Sequence, residues 1–497
     1  MCERWRDWLI LGLLLCVGCG VRFWFIEQKE CIHINEEMTF IIADYEDYSW
    51  EKNFDDGASY SGSYFREKFF FPNNDAKDMW RDVYRMRMDN RDSPHTNLYY
   101  SLYRVWVYFF GSSNLDWLIK TSCYLNILFY VLSFLVLNSI AKRLFPEQHF
   151  LRYGLLFMAF TNAAAISNTL FIREYQLQET LFLVLTALFI RYYARLQDGG
   201  GNATCSNLFV GSILLGLVLL SGYFSILYVA LFGAVLLGMA LWRRQMDDCG
   251  FFCALVIFAC VVACALYTQY FDGLLDYRGK EALDKLGATG FWDNVKATFV
   301  DGGAMLLSKG VPAVVLGIAA GSLLISAWRK EKIAGLPLLI GALTLCYLIA
   351  AFYFAPVKRL RYMMSAIPVL YIGVAACLPR GRQGHVLCGI MACCVAFFIV
   401  NAVDYMKIEE PNTDCLAKKN VVIVNNEPWK LGVVLQYTHT DSTYTFRDDC
   451  TKVAQDLAGK QDTMLLVEDG IVDECKKHLD ASFQPAGKYS CYYLFTR

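Results

Sequence analysis

The sequence predicts an α-helical polytopic membrane protein with about eleven transmembrane helices, a long first outer loop and a small α/β domain at its C-terminus. Three observations predict it. Of 497 residues, 56% are hydrophobic and 19% charged, and mean hydropathy is +0.33, outside the range of soluble chains. Apolar runs near the bilayer-spanning length recur along the chain up to residue 403. Beyond that point the composition becomes that of a soluble domain.

The runs are 8–26, 116–140, 152–170, 177–194, 207–221, 223–242, 250–270, 308–328, 334–354, 362–379 and 385–403, the fifth and sixth separated only by Ser221-Gly222-Tyr223. The first begins behind Arg4 and Arg6 and lacks a small-residue cleavage site, so it reads as a retained anchor. Basic residues in short connections orient the rest. With the N-terminus inside, the inner loops carry Lys142/Arg143/Arg152, Arg191/Arg195, Arg243/Arg244, Arg329/Lys330/Lys332 and Arg380/Arg382. Every inner loop is then basic. Segments 27–115 and 271–307 and the tail fall outside. The expected division is a transmembrane domain over 1–403, including the loop 27–115, and a soluble α/β domain over 404–497.

In that tail, apolar runs at 421–424, 464–467 and 492–495 alternate with helical patterns near 428–438, 450–458 and 470–479, the rhythm of a small layered domain. No glycine-rich phosphate fingerprint follows its first strand, so no nucleotide is assigned. A formal net charge of −1 gives no basic surface for nucleic acid. Most of the 19 cysteines lie in apolar runs as small hydrophobes. Of the outer ones, Cys415, Cys450, Cys475 and Cys491 are either free or joined in any of three pairings, with Cys31 left over. The sequon Asn202-Ala203-Thr204 falls on the inner side and carries no meaning there.

The loop 27–115 is too aromatic for a passive linker. Within it, Asp75–Asn90 has helical periodicity, with Met79, Trp80, Val83 and Tyr84 on one side. Such a helix lies on the bilayer interface or packs on the protein's own outer domain. Two groups of charge stand against their surroundings. Glu36-Glu37 follow the first span closely; carboxylates so near lipid mark a site, unless they merely favour a helix N-terminus. Lys358, Arg359 and Arg361 lie on the outer face, against the inside-positive trend. They are suited to gripping an anion, or else reach toward lipid headgroups. Arg173 offers a second such cation, or a neutral pair with Glu174.

Three patterns then align with one family. Ile34-Asn35-Glu36-Glu37-Met38-Thr39 resembles the acidic signature after the first span of the C-type (GT-C) membrane glycosyltransferases. Asp92-Ser93-Pro94-His95-Thr96-Asn97-Leu98-Tyr99-Tyr100 resembles the same superfamily's Asp-x-His-Pro-Pro-Leu-Tyr-Tyr segment. Ile172-Arg173-Glu174-Tyr175, and Pro356 to Tyr362 followed by Pro368, are similar to its outer arginine–tyrosine motifs. Glu36 stands where the family has aspartate, and Thr96-Asn97 replace two prolines. The resemblance implies a GT-C fold and an inverting transfer of a sugar from a polyprenyl-phosphate donor to a lipid, glycan or protein acceptor, on the periplasmic face of a bacterial inner membrane. It implies Glu36 as the base, with Glu37 in reserve. Arg173, Lys358, Arg359 and Arg361 would bind donor phosphate, and Asp92, His95 and Tyr175 would touch substrate. No cofactor is required, although a divalent cation held through the phosphate is an option; His33 beside Glu36 and Glu37 does not have convincing metal-ligand spacing. Two rival readings are a transporter or flippase of a lipid-linked or anionic solute, and an inactive scaffold of the same fold.

Overall fold

The computed structural model describes residues 2–29, 32–44, 54–65, 75–92, 95–112, 114–199, 204–287, 291–331, 334–404, 413–479 and 481–496. Cys31, Ser93, Pro94, Asn202, Ala203 and Lys332 lie outside these. The chain divides into two compact units. One comprises Met1–Gln28, Arg87–Tyr99 and Cys123–Tyr405; the other comprises Lys29–Met86, Tyr100–Ser122 and Met406–Arg497.

The first unit is helical. Among the described residues, five helices are long and apolar enough to cross a bilayer: Trp5–Glu27, Leu115–Leu144, Ser225–Trp242, Met246–Leu266 and Gly335–Phe354. Two bent pairs raise this to seven: His149–Thr161 with Ala163–Leu170 at 52°, and Phe291–Gly310 with Ala313–Trp328 at 94°. Cys205–Leu219, Ile367–Ala376 and Arg382–Phe397 are apolar but shorter. The protein is thus a multi-helix membrane protein. Small residues let helices close in: a Cβ on Gly341 would lie 2.6 Å from the Cα of Gly373, so these two helices cross backbone to backbone.

The bend at Asn162 exposes carbonyls that apolar surroundings cannot satisfy. Asn162 caps the second half, accepting from Ala165 N at 2.9 Å, and donates to the Met158 and Ala159 carbonyls. Arg22 of the first helix, α1 (Cys2–Glu27), fully buried, donates to Gly18, Phe160 and Ala165 carbonyls and lies 3.7 Å from the Tyr130 ring centre.

The second unit is built on a six-stranded sheet: β1 (Ser59–Ser61), β2 (Asn420–Val424), β3 (Thr443–Arg447), β4 (Thr463–Glu468), β5 (Gln484–Tyr489) and β6 (Tyr492–Thr496). Their order is β1-β3-β2-β4-β6-β5. β2 runs parallel to both β3 and β4, while the outer pairings are antiparallel. One face packs Val422, Val424, Leu465 and Val467 on Val453, Leu457 and Val472, beside a Cys450–Cys475 disulfide. Of the four outer cysteines, Cys450 and Cys475 are thus joined to each other, and Cys491 is a free thiol. On Phe446 of β3, Phe54 stacks at 4.2 Å and Tyr60 and Phe65 meet it edge-on. The first-loop segment 54–65 is therefore an integral part of the tail's fold.

The expected amphipathic helix forms at Ala76–Met88, with a different buried face. Met79, Asp82 and Met86 are inside while Trp80 and Tyr84 are exposed, because Asp82 turns inward to a 3.0 Å bond from buried Arg104.

Candidate functional site

Glu36 and Glu37 occupy the first turn of helix α2 (Ile34–Ala43), and both are buried. Their side chains diverge, as adjacent helical positions must. Glu36 closes a capping box: its Oε2 accepts from His33 N at 2.6 Å, while His33 Nδ1 accepts from Asn35 N. It also pairs with buried Lys29 at 3.0 Å. Glu37 has no hydrogen-bond partner on either oxygen. Its Oε2 sits 2.2 Å from where a Cβ on Gly432 would be, so only glycine fits there. Burial holds the Glu37 carboxyl well above the usual carboxylate range.

In the first unit, the turn before the Tyr175–Gln197 helix meets the Asn90–Asn97 segment. Asn90 ties that segment: its Oδ1 accepts from Asp92 N and the Tyr267 hydroxyl, and its Nδ2 donates to the His95 carbonyl. Thr96 and Asn97, the positions where the resembled motif has prolines, donate to the Leu220 and Leu266 carbonyls. They anchor by hydrogen bonds what proline would stiffen covalently.

So held, the Asp92 carboxylate lies 3.0 Å from His95 Nδ1 and 3.7 Å from Arg173. Arg173 Nε donates to Glu174 at 3.0 Å, and Glu174 lies 3.9 Å from His95 Nε2. Burial pushes His95 down, against the pull of Asp92. Burial alone would raise Glu174, but Arg173 and His95 hold it below the usual carboxylate range. The result is a bonded quartet of two acids, an arginine and an imidazole.

His95, Glu174, Tyr175, Gln178, Gly222, Tyr223, Arg278, Tyr347 and Tyr362 line a small cavity of about 30 Å³. Arg361 precedes Tyr362 and interacts electrostatically with Tyr175 and Arg173; its buried Nε has no hydrogen-bond partner. Arg278 bonds Glu281 at 2.7 Å. Arg278, His95, Glu174 and four tyrosines therefore line the cavity, with Arg173 bonded to Glu174 and Arg361 interacting with Tyr175 behind them; guanidinium groups so placed are suited to an oxyanion.

The fold thus gathers Asp92, His95, Arg173, Tyr175 and Arg361 of the expected residues. Lys358 is elsewhere: it donates to the Phe352 and Tyr353 carbonyls, at 2.5 and 3.0 Å, ending the Gly335–Phe354 helix. Burial, with Lys285 beside it, pushes Lys358 down to about 8. Arg359 is exposed. Arg278, Gln178 and Tyr223 are additions that sequence reasoning missed. Arg278 had a signal, since it is a cation on the 271–307 segment that the sequence reading expects outside, as Arg361 is on its own segment. No group of three or more His, Cys, Asp or Glu among the described residues is arranged to hold a metal ion.

No protein-family model and no curated protein matches the sequence. Solved structures do. ArnT from Cupriavidus metallidurans, bound to undecaprenyl phosphate, is similar over 97% of both chains at 12% identity, with a TM-score of 0.53. The archaeal oligosaccharyltransferase AglB from Archaeoglobus fulgidus, in complex with an inhibitory peptide and a dolichol-phosphate, covers 95% of this chain and 70% of its own, at 10% identity and a TM-score of 0.43. The chain therefore has an ArnT-like fold.

Proposed function

We propose that the protein is an inverting glycosyltransferase, moving one sugar from a polyprenyl-phosphate donor to a lipid, glycan or protein acceptor on the periplasmic face of a bacterial inner membrane. The observation that carries this reading is a tyrosine-walled cavity lined by Arg278 and His95, backed by Arg173 on Glu174 and by Arg361 beside Tyr175, in a chain of ArnT-like fold. The solved ArnT holds undecaprenyl phosphate, and basic inner loops support the orientation.

In the reaction, the acceptor oxygen attacks the anomeric carbon from the face opposite the phosphate. The carbon–oxygen bond to phosphate breaks, its electron pair leaves on the phosphate oxygen, and the acceptor's proton goes to a carboxylate. Arg361 and Arg278 stabilise the charge that grows on the phosphate, where each donor contributes roughly 10²–10³ in rate. Asp92 and Glu174 fix Arg173 and His95 so that they need not reorganise. Of the α2 pair, Glu37 is the better base. Its oxygens carry no hydrogen bond, whereas Glu36 is committed to Lys29 and the helix cap.

The test is transfer of labelled sugar from an undecaprenyl-phosphate donor by purified protein in lipid nanodiscs, supplied with envelope extract as acceptor. Arg361→Ala is expected to lower turnover roughly 10²-fold or more without loss of folding. Wild-type protein that neither binds undecaprenyl phosphate nor releases it from the donor would overturn the reading.

A further inference from the structure

The turn that carries Arg173 and Glu174 is one of two interruptions in a stretch of buried helix, and side chains outside the cavity lining bond across it. Arg22 Nε donates to Thr169 Oγ1 at 2.8 Å, and that hydroxyl donates to Gln176 Oε1 at 2.8 Å. Gln176 Nε2 donates in turn to Glu179 Oε1 at 2.7 Å. Every donor points the same way, from guanidinium to carboxylate, and all four side chains have no exposure. Asn168 closes the loop, its Nδ2 reaching Glu179 Oε2 at 3.0 Å and the Tyr175 carbonyl at 3.3 Å. From the other side, Asn126 Nδ2 holds the Thr169 and Phe171 carbonyls, and Ser365 Oγ donates to the Tyr175 carbonyl.

A buried arginine and a buried glutamate among apolar helices are costly unless each is satisfied. Here they satisfy each other through two neutral side chains rather than directly. Thr169 lies on one side of the 171–174 turn and Gln176 and Glu179 on the other, so the chain of bonds spans the turn. We infer that Arg22, Thr169, Gln176 and Glu179 are positioning residues that fix the Phe171–Tyr175 turn and so place Arg173, held by Glu174, and Tyr175 at the anion site. This rests on the reading of the cavity as a lipid-phosphate site. None of the four lines the cavity.

Thr169→Val cuts the chain at its middle with almost no change of shape, and Thr169→Ser restores the hydroxyl. In nanodiscs, T169V is expected to speed amide hydrogen exchange at residues 171–174 and to weaken undecaprenyl phosphate binding by up to about 10²-fold, the cost of a misplaced binding group. T169S is expected to behave as wild type in both. Glu179→Gln keeps an acceptor and is expected to be intermediate. If T169V only lowers the melting temperature, with exchange at 171–174 and lipid-phosphate affinity unchanged, the inference is overturned. If wild type does not bind undecaprenyl phosphate while T169V still speeds exchange at 171–174, the cavity reading fails and the positioning role stands.

Discussion

Replacing Glu37 by methionine asks whether an unpartnered carboxyl is retained for work or for structure. The side chain is 1% exposed, neither oxygen has a hydrogen-bond partner, and Oε2 occupies the space that a Cβ on Gly432 would need. A buried polar group left unsatisfied costs about 1–3 kcal/mol. Methionine has similar length and volume, so E37M is expected to stabilise by that amount. For a unit of 150–250 residues, this corresponds to a melting shift of roughly 2–12 °C. The pH dependence has a definite sign. Burial raises the folded carboxyl's proton affinity, so the folded state keeps a proton that the unfolded chain has released. The stability contribution is complete below the ordinary carboxylate range and is lost as pH rises through the folded value. Thermal unfolding of wild type should therefore fall in midpoint along that direction, and E37M should lack this component. A destabilised E37M, or one with an unchanged pH slope, refutes the reasoning. Sugar transfer by the same variant decides the role: a more stable protein slowed by roughly 10²–10⁴ marks Glu37 as the base, and full activity removes it from proton transfer.

Gly432→Ala is expected to cost about 1–3 kcal/mol by overpacking, since its Cβ would also meet Ile34 at 3.2 Å; adding Glu37→Ala should recover most of it in a denaturant double-mutant cycle, and strict additivity would contradict the contact. Lys29→Met leaves the buried Glu36 carboxylate without its cation and should cost about 3–5 kcal/mol, with Glu36→Gln in the same chain restoring part of the melting temperature. Replacing Cys450 and Cys475 by alanine opens a link across 25 residues and should cost about 2–4 kcal/mol; the variant's melting should then ignore added reductant, whereas wild type should respond to it.

Legibility in the sequence followed burial. β2, β4 and β6 were readable as apolar runs because β2 and β4 are buried along nearly their whole length, which removes the alternation and leaves a dense hydrophobic signal. β5 was hidden: Gln484–Tyr489 contains Pro485 and Gly487, is exposed over most of its length, and shifts register between those two residues. Edge strands use such breaker residues to discourage further pairing, and the same residues erase the strand pattern. β1 is three residues long and has meaning only against β3. At the cavity, Asp92, His95 and Arg173 stood out because a charge beside an apolar run is conspicuous locally. Gln178 and Tyr223 did not, because a glutamine and a tyrosine at span ends are ordinary until the fold turns them toward one hollow. The capping role of Glu36 was obscured because histidine is not a usual N-cap residue.

The pairing of Ser59–Ser61 with Thr443–Thr445 also constrains how the molecule is made. A strand emerging early from the ribosome has to wait for a partner synthesised near the end, after the helical spans between them. Until then its aromatic neighbours Phe54, Tyr60 and Phe65 lack Phe446 to cover them, a contact of very long sequence separation that forms late and slowly. Chains truncated before residue 443 should therefore leave this segment open to proteases and chaperones even when every span is inserted, so biogenesis of the sheet is gated by completion of translation.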